Sequence, residues 1–117
     1  INYEKIDYAL KVSSLKDFVS SLPEHINSQI GEDGSKLSGG QKQRICLARA
    51  IYFDRDFIIM DEATSALDSD TENEIVQEIK MMKGVKTFLI IAHRQTTIEN
   101  CDKVFLIENK CFKQIKG

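Results

Sequence analysis

The sequence predicts an α/β fold in which a parallel sheet follows a helical region. Two short apolar runs, residues 57–60 and 87–92, are separated by a helical pattern, the order expected of a strand, a crossover helix and a parallel strand. The chain has 117 residues, a common length for one domain. Hydrophobic residues make up 42% of it and charged residues 29%, which is typical of a globular protein and excludes a long disordered one.

The helical region begins near the amino terminus. From Tyr3 to Leu22 apolar residues recur at helical spacing in two blocks, which predicts two helices, and Ser14 is placed to cap the second. Pro23 closes that helix, because the residue before a proline disfavours the helical conformation. The segment from Glu24 to Lys36 is largely polar and contains two glycines, so we expect a loop there.

A third helix is predicted from Gln41 to Tyr52, directly after a pair of glycines. The helical region therefore occupies residues 1–52, and the strands lie within residues 53–117.

The strand-containing region is predicted from the same periodicities. The two apolar runs are short and unbroken, so each is expected to form a buried strand of a parallel sheet. Between them, Asp68 or Ser69 can cap the start of a helix and Gly84 can end it. Two further runs, residues 103–108 and 111–115, predict a closing hairpin.

Composition excludes several classes of function. Sixteen basic and 18 acidic residues give a net charge of −2, which argues against a chain that grips nucleic acid through its overall field. The apolar run from Phe88 to Ala92 is too short to cross a bilayer, and no secretory signal is visible. Three cysteines without C-x-x-C spacing predict reduced thiols and no zinc site. Because the chain begins with Ile1, we expect a soluble piece of a longer protein.

The first motif is a Leu-Ser-Gly-Gly-Gln segment, residues 37–41, directly before the third helix. Glycines let the backbone approach a ligand closely, and the start of a helix presents unpaired N–H groups that suit a phosphate. Ser38 can cap the helix or donate its hydroxyl to a phosphate oxygen. Taken alone, such a segment is more often simply a capped helix.

The second motif is the pair Asp61 and Glu62 at the end of the first strand. In open α/β sheets, ligands bind at the carboxyl ends of strands. One carboxylate can hold Mg²⁺, and the next can orient and deprotonate an attacking water. The alternative is two solvated acids in a turn.

The third motif is His93, which follows the second strand. If the two strands are neighbours, His93 emerges at the same edge of the sheet as Asp61 and Glu62, where it can bond a terminal phosphate or orient a water. A lone histidine at a strand end is more often structural. His25 lies in the predicted loop and is assigned no role.

In this order, residues 37–44, 61–68 and 92–94 resemble the ATP-binding cassette (ABC) family. More narrowly, they are similar to the carboxy-terminal part of the nucleotide-binding domain of an exporter-type transporter. The resemblance covers nearly the whole chain. It implies the carboxy-terminal part of a P-loop NTPase (RecA-like) parallel-sheet core, preceded by part of the helical signature subdomain.

The resemblance implies roles for the matching residues. The signature motif, which contacts the γ-phosphate of ATP held by the opposite subunit of a head-to-tail dimer, matches Leu37, Ser38, Gly39, Gly40 and Gln41. Asp61 matches the Walker B aspartate that acts on Mg²⁺, Glu62 the general base, and His93 the switch-loop histidine. Asp68 matches the D-loop aspartate at the dimer interface and is counted with the catalytic residues. Residues 31–34 resemble the exporter loop that senses the transmembrane domains.

The activity implied by the resemblance is Mg²⁺-dependent ATP hydrolysis that drives export. The implied cofactors are ATP and Mg²⁺. The implied partners are the transmembrane domain of the same transporter and a second nucleotide-binding domain, with no nucleic acid. Through its transmembrane domain, the complete protein would lie at the cytoplasmic face of a membrane.

The sequence also departs from the family pattern. No G-x-x-x-x-G-K-[ST] loop occurs in these residues, so the isolated chain is expected to be inactive. Arg55 stands where the family usually has proline, and the final turn at residues 109–110 lacks a glycine.

Two alternatives remain open from the sequence. The first is a soluble cassette ATPase of DNA repair or translation, against which the exporter-like residues 64–68 and 92–94 argue. The second is a non-catalytic regulatory module that pairs with a complete cassette. The missing phosphate loop favours this module, and a first residue other than Met argues against it.

Overall fold

The computed structural model describes residues 1–117, except for the side chain of Asp33. Its helices are α1 (Tyr3–Val12), α2 (Lys16–Ser21), α3 (Gly39–Tyr52), α4 (Ser69–Met81) and α5 (Gln95–Glu99). Its strands are β1 (Phe57–Asp61), β2 (Thr87–Ile91), β3 (Val104–Glu108) and β4 (Cys111–Lys116). The predicted α/β class is therefore confirmed. Among the described residues, no helix is both long and apolar enough to cross a membrane.

The helical region contains the two short helices predicted before Pro23, but Ser14 does not cap the second. Leu15 occupies the capping position of α2, and it makes no side-chain cap hydrogen bond. Ser14 lies in the tight turn between the helices, with φ of 53°. In this turn its hydroxyl donates to the carboxylate of Glu74 in α4, so the side chain is directed away from the first turn of α2.

The polar segment before α3 is more ordered than the predicted loop. It contains two short 3₁₀ turns, His25–Asn27 and Glu32–Gly34. The segment at residues 31–34 that resembles the exporter loop includes the second turn, and the side chain of Asp33 lies outside the described residues.

The first sheet pairs β1 and β2 in parallel, with Asp61 opposite Ile91. The expectation that both strands are buried holds for one face only. Ile58 and Met60 lie in the main apolar cluster, whereas Ile59 is 62% exposed. The same alternation runs along β2, where Leu89 is 51% exposed. The cause is that α1, α3 and α4 share the apolar cluster on one side, while the opposite face stays open to solvent among the described residues.

The second sheet is the antiparallel hairpin of β3 and β4, as predicted. Glu108 pairs with Cys111, so the turn consists of Asn109 and Lys110 alone. Both turn residues have positive φ, 50° and 63°, as in the two-residue turn that prefers Asn-Gly. The final turn therefore lacks a glycine at a position where the backbone conformation favours glycine.

We expect Lys110→Gly to raise the free energy of unfolding by about 0.5–1 kcal/mol, because it removes left-handed strain at a non-glycine residue. Denaturant unfolding of the purified protein measures the change. Lys113→Gly is the matched control, because Lys113 is an exposed lysine inside β4, where glycine weakens a strand. Equal destabilisation by the two glycines contradicts the assignment of strain to Lys110.

Candidate functional site

The parallel register of β1 and β2 brings the predicted catalytic residues to one edge of the sheet. The Glu62 amide donates to the Ile91 carbonyl at 3.0 Å, which continues the pairing one residue past β1. His93 follows two residues later, and its Nε2 lies 3.0 Å from Oε1 of Glu62. Both side chains are largely exposed, 80% for the histidine and 51% for the glutamate. The expectation that these residues meet at the strand ends agrees with this geometry.

Glu62 stands at a sharp reversal of the chain. Its φ is 47°, in the left-handed region, where a non-glycine residue is strained by about 1–3 kcal/mol. Two hydrogen bonds hold the reversal at its carbonyl, one from the Ser65 amide at 3.0 Å and one from Nε2 of Gln43 at 3.1 Å. The carboxylate therefore leaves the strand end in a direction fixed by the backbone.

Asp61 is the last residue of β1, and its side chain lies on the exposed face. Within the described residues, no group of three or more His, Cys, Asp or Glu side chains is arranged to hold a metal ion. Magnesium is usually bound through one or two carboxylates together with waters and substrate phosphates, rather than by a cage of protein ligands. The donor set at Asp61 therefore fits Mg²⁺ that arrives with a phosphate.

The signature segment begins α3 with a capping box. Oγ of Ser38 accepts from the Gln41 amide at 3.2 Å, and Oε1 of Gln41 accepts from the Ser38 amide at 2.8 Å. The Ser38 hydroxyl is exposed and keeps its own proton for donation. Since α3 runs for 14 residues, its start also carries the partial positive charge of the helix dipole. Capping and phosphate binding are compatible here.

The two glycines of the segment differ in their surroundings. A Cβ on Gly40 would lie 2.9 Å from the Ala66 carbonyl oxygen and 3.1 Å from Cδ2 of Leu67. A Cβ on Gly39 would lie 3.5 Å from Cβ of Ala66, an ordinary contact. The start of α3 therefore packs against Ala66 and Leu67 so closely that only glycine fits at the second position.

We expect Gly40→Ala to lower the free energy of unfolding by about 1–3 kcal/mol, because the added methyl group overpacks the contact with Ala66. Gly39→Ala is the matched control. It is expected to be neutral or to stabilise by up to about 1 kcal/mol, since alanine is the better helix former. Thermal or urea unfolding of both variants checks the difference. A larger loss for Gly39→Ala would overturn this account of the contact.

Of the two residues predicted to cap α4, the structure places Asp68 at the capping position. Its carboxylate accepts from the Thr71 amide at 2.9 Å and from the Thr71 hydroxyl at 2.8 Å. These two hydrogen bonds hold the pKa of Asp68 below its usual value. At neutral pH the side chain is therefore an anionic cap that fixes the end of the loop following Glu62.

Sequence reasoning missed a partly buried ion pair behind this loop, in which the acid is buried and the Arg94 side chain is 36% exposed. Glu72 is only 2% exposed, and its Oε2 accepts from Nη1 of Arg94 at 2.7 Å. Its Oε1 accepts from the Thr97 hydroxyl at 2.8 Å. Nη2 of Arg94 also donates to the carbonyls of Ser65, at 3.1 Å, and Leu67, at 2.8 Å. One guanidinium thus joins α4, the loop after β1 and the segment after His93.

The pKa of Glu72 is lowered by this environment. Burial raises the pKa of the carboxyl, but the hydrogen bonds from Arg94 and Thr97 and the positive charge of Arg94 lower it by more in total. The only feature of the sequence that pointed to this ion pair was the position of Arg94 directly after His93. A glutamate in the first turn of a helix is otherwise expected to be a solvated acid that interacts favourably with the helix dipole.

The chain belongs to the ABC transporter family. Its residues 5–65 match the sequence profile described as "ABC transporter". The fold matches part of the nucleotide-binding fold of an ABC exporter, as the solved structure described below indicates.

The chain is 44% identical over 109 residues to an ATP-dependent lipid A-core flippase of Cupriavidus pinatubonensis, covering 93% of this chain and 18% of the relative. It is 48% identical to Multidrug resistance protein 1 of Entamoeba histolytica, covering 92% of this chain and 8% of that protein. The solved structure of a bacterial Atm1-family ABC exporter with ATP bound matches 98% of this chain and 20% of its own, with a TM-score of 0.90 and 34% identity. The chain thus spans a fifth or less of the length of these relatives.

Proposed function

We propose that this chain is part of the ATP-hydrolysing nucleotide-binding domain of an ABC exporter, in which ATP binding and hydrolysis drive transport across a membrane. The observation that carries the proposal is the contact between Glu62 and His93 at the carboxyl end of a parallel strand pair, next to Asp61. A carboxylate, an imidazole and a second carboxylate at such an edge suit the activation of water beside a bound phosphate. The exporter names of the relatives support the transport part of the proposal.

Glu62 is the proposed general base. Its Oε1 is engaged by Nε2 of His93, which leaves Oε2 to accept a proton from an attacking water. His93 contacts the carboxylate and presents its ring at the same edge, where it is proposed to bond a terminal phosphate. Because both side chains are exposed, the site needs a nucleotide and a partner surface to exclude water.

Asp61 is the proposed holder of Mg²⁺, and the bound ion would neutralise charge on the phosphates. The exposed start of α3 supplies a second phosphate-binding element through Ser38, Gly39 and the free helical N–H groups. In a head-to-tail dimer this element would serve the ATP of the partner. Leu37, Gly40 and Gln41 shape and cap it.

The proposed partners are a second nucleotide-binding domain and the transmembrane domain of the same transporter, which would place the protein at the cytoplasmic face of a membrane. Asp68 and the loop before it are proposed to lie at the interface between the two nucleotide-binding domains. The firm capping of α4 by Asp68 gives that loop a fixed end.

The test is ATP hydrolysis by the complete protein reconstituted in lipid vesicles. We expect hydrolysis that requires Mg²⁺ and is abolished by chelation with EDTA. Asp61→Asn is expected to raise the Mg²⁺ concentration needed for half-maximal rate. Asp102→Asn is the control, since Asp102 is an exposed acid paired with Lys83 away from the strand ends. Absence of ATP hydrolysis by the complete protein would overturn the proposal.

A further inference from the structure

Gln43 lies on α3, two residues beyond the signature segment, and its side-chain amide makes three hydrogen bonds to the loop after β1. Nε2 donates to the Glu62 carbonyl at 3.1 Å and to the Ser65 hydroxyl oxygen at 3.0 Å. Oε1 accepts from the Ala66 amide at 3.1 Å. Both amide protons and the amide oxygen are thus used within one loop.

The orientation of this amide is fixed by its partners. The Glu62 carbonyl can only accept a hydrogen bond, so it must face the NH₂ group. The Ala66 amide can only donate, so it must face the oxygen. A flipped amide would place donor against donor at Ala66 and acceptor against acceptor at Glu62. Gln43 therefore recognises one particular conformation of the loop.

The loop conformation that Gln43 recognises is the one that directs Glu62. The Glu62 backbone is strained at φ of 47°, and such a conformation persists only where its surroundings hold it. Gln43 and the Ser65 amide are the two groups that bond the Glu62 carbonyl. Loss of the Gln43 bond frees the residue to relax toward an ordinary conformation, which would turn its carboxylate away from His93.

We propose that Gln43 is a positioning residue that couples the signature helix to the general base. The inference rests on the function proposed above for Glu62 and for the start of α3. Residues 39–41 of the signature segment and Gln43 belong to the same helix, which Ser38 caps, and Gly40 packs directly on Ala66 of the loop. In a head-to-tail dimer, α3 of one chain would hold a phosphate of the partner's ATP. Through Gln43, that contact would stabilise the orientation of Glu62 in the same chain, which serves the other ATP.

The test uses the complete protein with Gln43→Met, which preserves length and removes all three hydrogen bonds. We expect kcat for ATP hydrolysis to fall about tenfold, because small misplacement of a reacting group is costly, while KM for ATP stays unchanged. Gln43→Glu keeps the acceptor for Ala66 and loses both donors, and we expect kcat to fall in the same way. Cys46→Ala on the exposed side of α3 is the control and should leave kcat unchanged.

The decisive comparison is the same substitution in a Glu62→Gln background, measured in a single turnover. If Gln43 acts through Glu62, Gln43→Met has no further effect there, since the two effects are not additive. An equal tenfold loss in that background, or unchanged kcat in both Gln43→Met and Gln43→Glu, overturns the inference. If Glu62→Gln itself leaves hydrolysis unchanged, the proposed role of Glu62 fails, which is a different result from the failure of Gln43.

Discussion

Glu62→Gln in the complete protein is expected to lower steady-state ATP hydrolysis by about 10²–10⁴-fold, the usual contribution of a general base. The amide keeps the shape of the side chain and can still bond His93, so the geometry at the strand ends is retained. ATP binding should remain, and a closed dimer with bound ATP should accumulate. Phosphate release and nucleotide-binding assays measure the two effects separately.

The matched control is Glu108→Gln, because Glu108 is an exposed acid at the end of another strand, β3. It should leave hydrolysis unchanged. Unchanged hydrolysis in Glu62→Gln would show that this carboxylate is not the base, whatever its contact with His93.

Glu72→Ala is expected to lower the free energy of unfolding by about 1–3 kcal/mol, because the Arg94 guanidinium loses its buried partner. The 36% exposure of the Arg94 side chain lets water offset part of that loss. The loss should also loosen the loop that Arg94 holds through the Ser65 and Leu67 carbonyls. Urea unfolding of wild type and variant measures the change. Glu78→Ala is the control on the same helix, since Glu78 forms only a longer ion pair with Lys11, at 3.6 Å. Such a pair near the surface contributes at most about 1 kcal/mol.

The pH dependence of the free energy of unfolding is a second test of the ion pair between Glu72 and Arg94. Because the pKa of Glu72 is lower in the folded protein than its ordinary value of 4.5, its contribution is complete above that value. The contribution is lost as the pH falls through the lowered pKa. The stability difference between wild type and Glu72→Gln should therefore be constant near neutral pH and shrink below about pH 4.5. A difference that grows on acidification contradicts the assignment.

The elements of the fold that depend on local pattern could be predicted from the sequence. The two parallel strands, the helix begun by Asp68 and the closing hairpin were all predicted in order, and the structure confirms them. The exposed face of β1 could not be predicted, because a run such as residues 57–60 is apolar at every position and does not reveal which side is covered. The cap assigned to Ser14 was wrong because a tight turn redirects its hydroxyl to Glu74.

Some residues of the candidate site could also be predicted from the sequence, and others could not. Glu62 and His93 were found because each follows the carboxyl end of a strand, and parallel strands bring these ends together. Glu72 and Gln43 were missed because their partners lie far along the chain. Glu72 pairs with Arg94, 22 residues away, and Gln43 bonds residues 19 to 23 positions away. No periodicity or spacing encodes a contact of that range between two polar side chains.

The central claim is that the start of α3 and Glu62 of one chain serve different ATP molecules in a head-to-tail dimer. It can be tested with dimers of the complete protein that combine two defects, Glu62→Gln and Gly39→Asp. The aspartate places a negative charge where a phosphate would bind, at a position with room for a side chain. The two defects are placed either on the same copy or on different copies, and ATP hydrolysis of each purified dimer is measured.

If the signature acts on the partner's ATP, both defects on one copy disable both sites, whereas defects on different copies fall in one site and leave the other intact. We therefore predict that the dimer with its defects on different copies hydrolyses ATP and that the dimer with both on one copy does not. The reverse order, with activity only when both defects share a copy, would contradict the account.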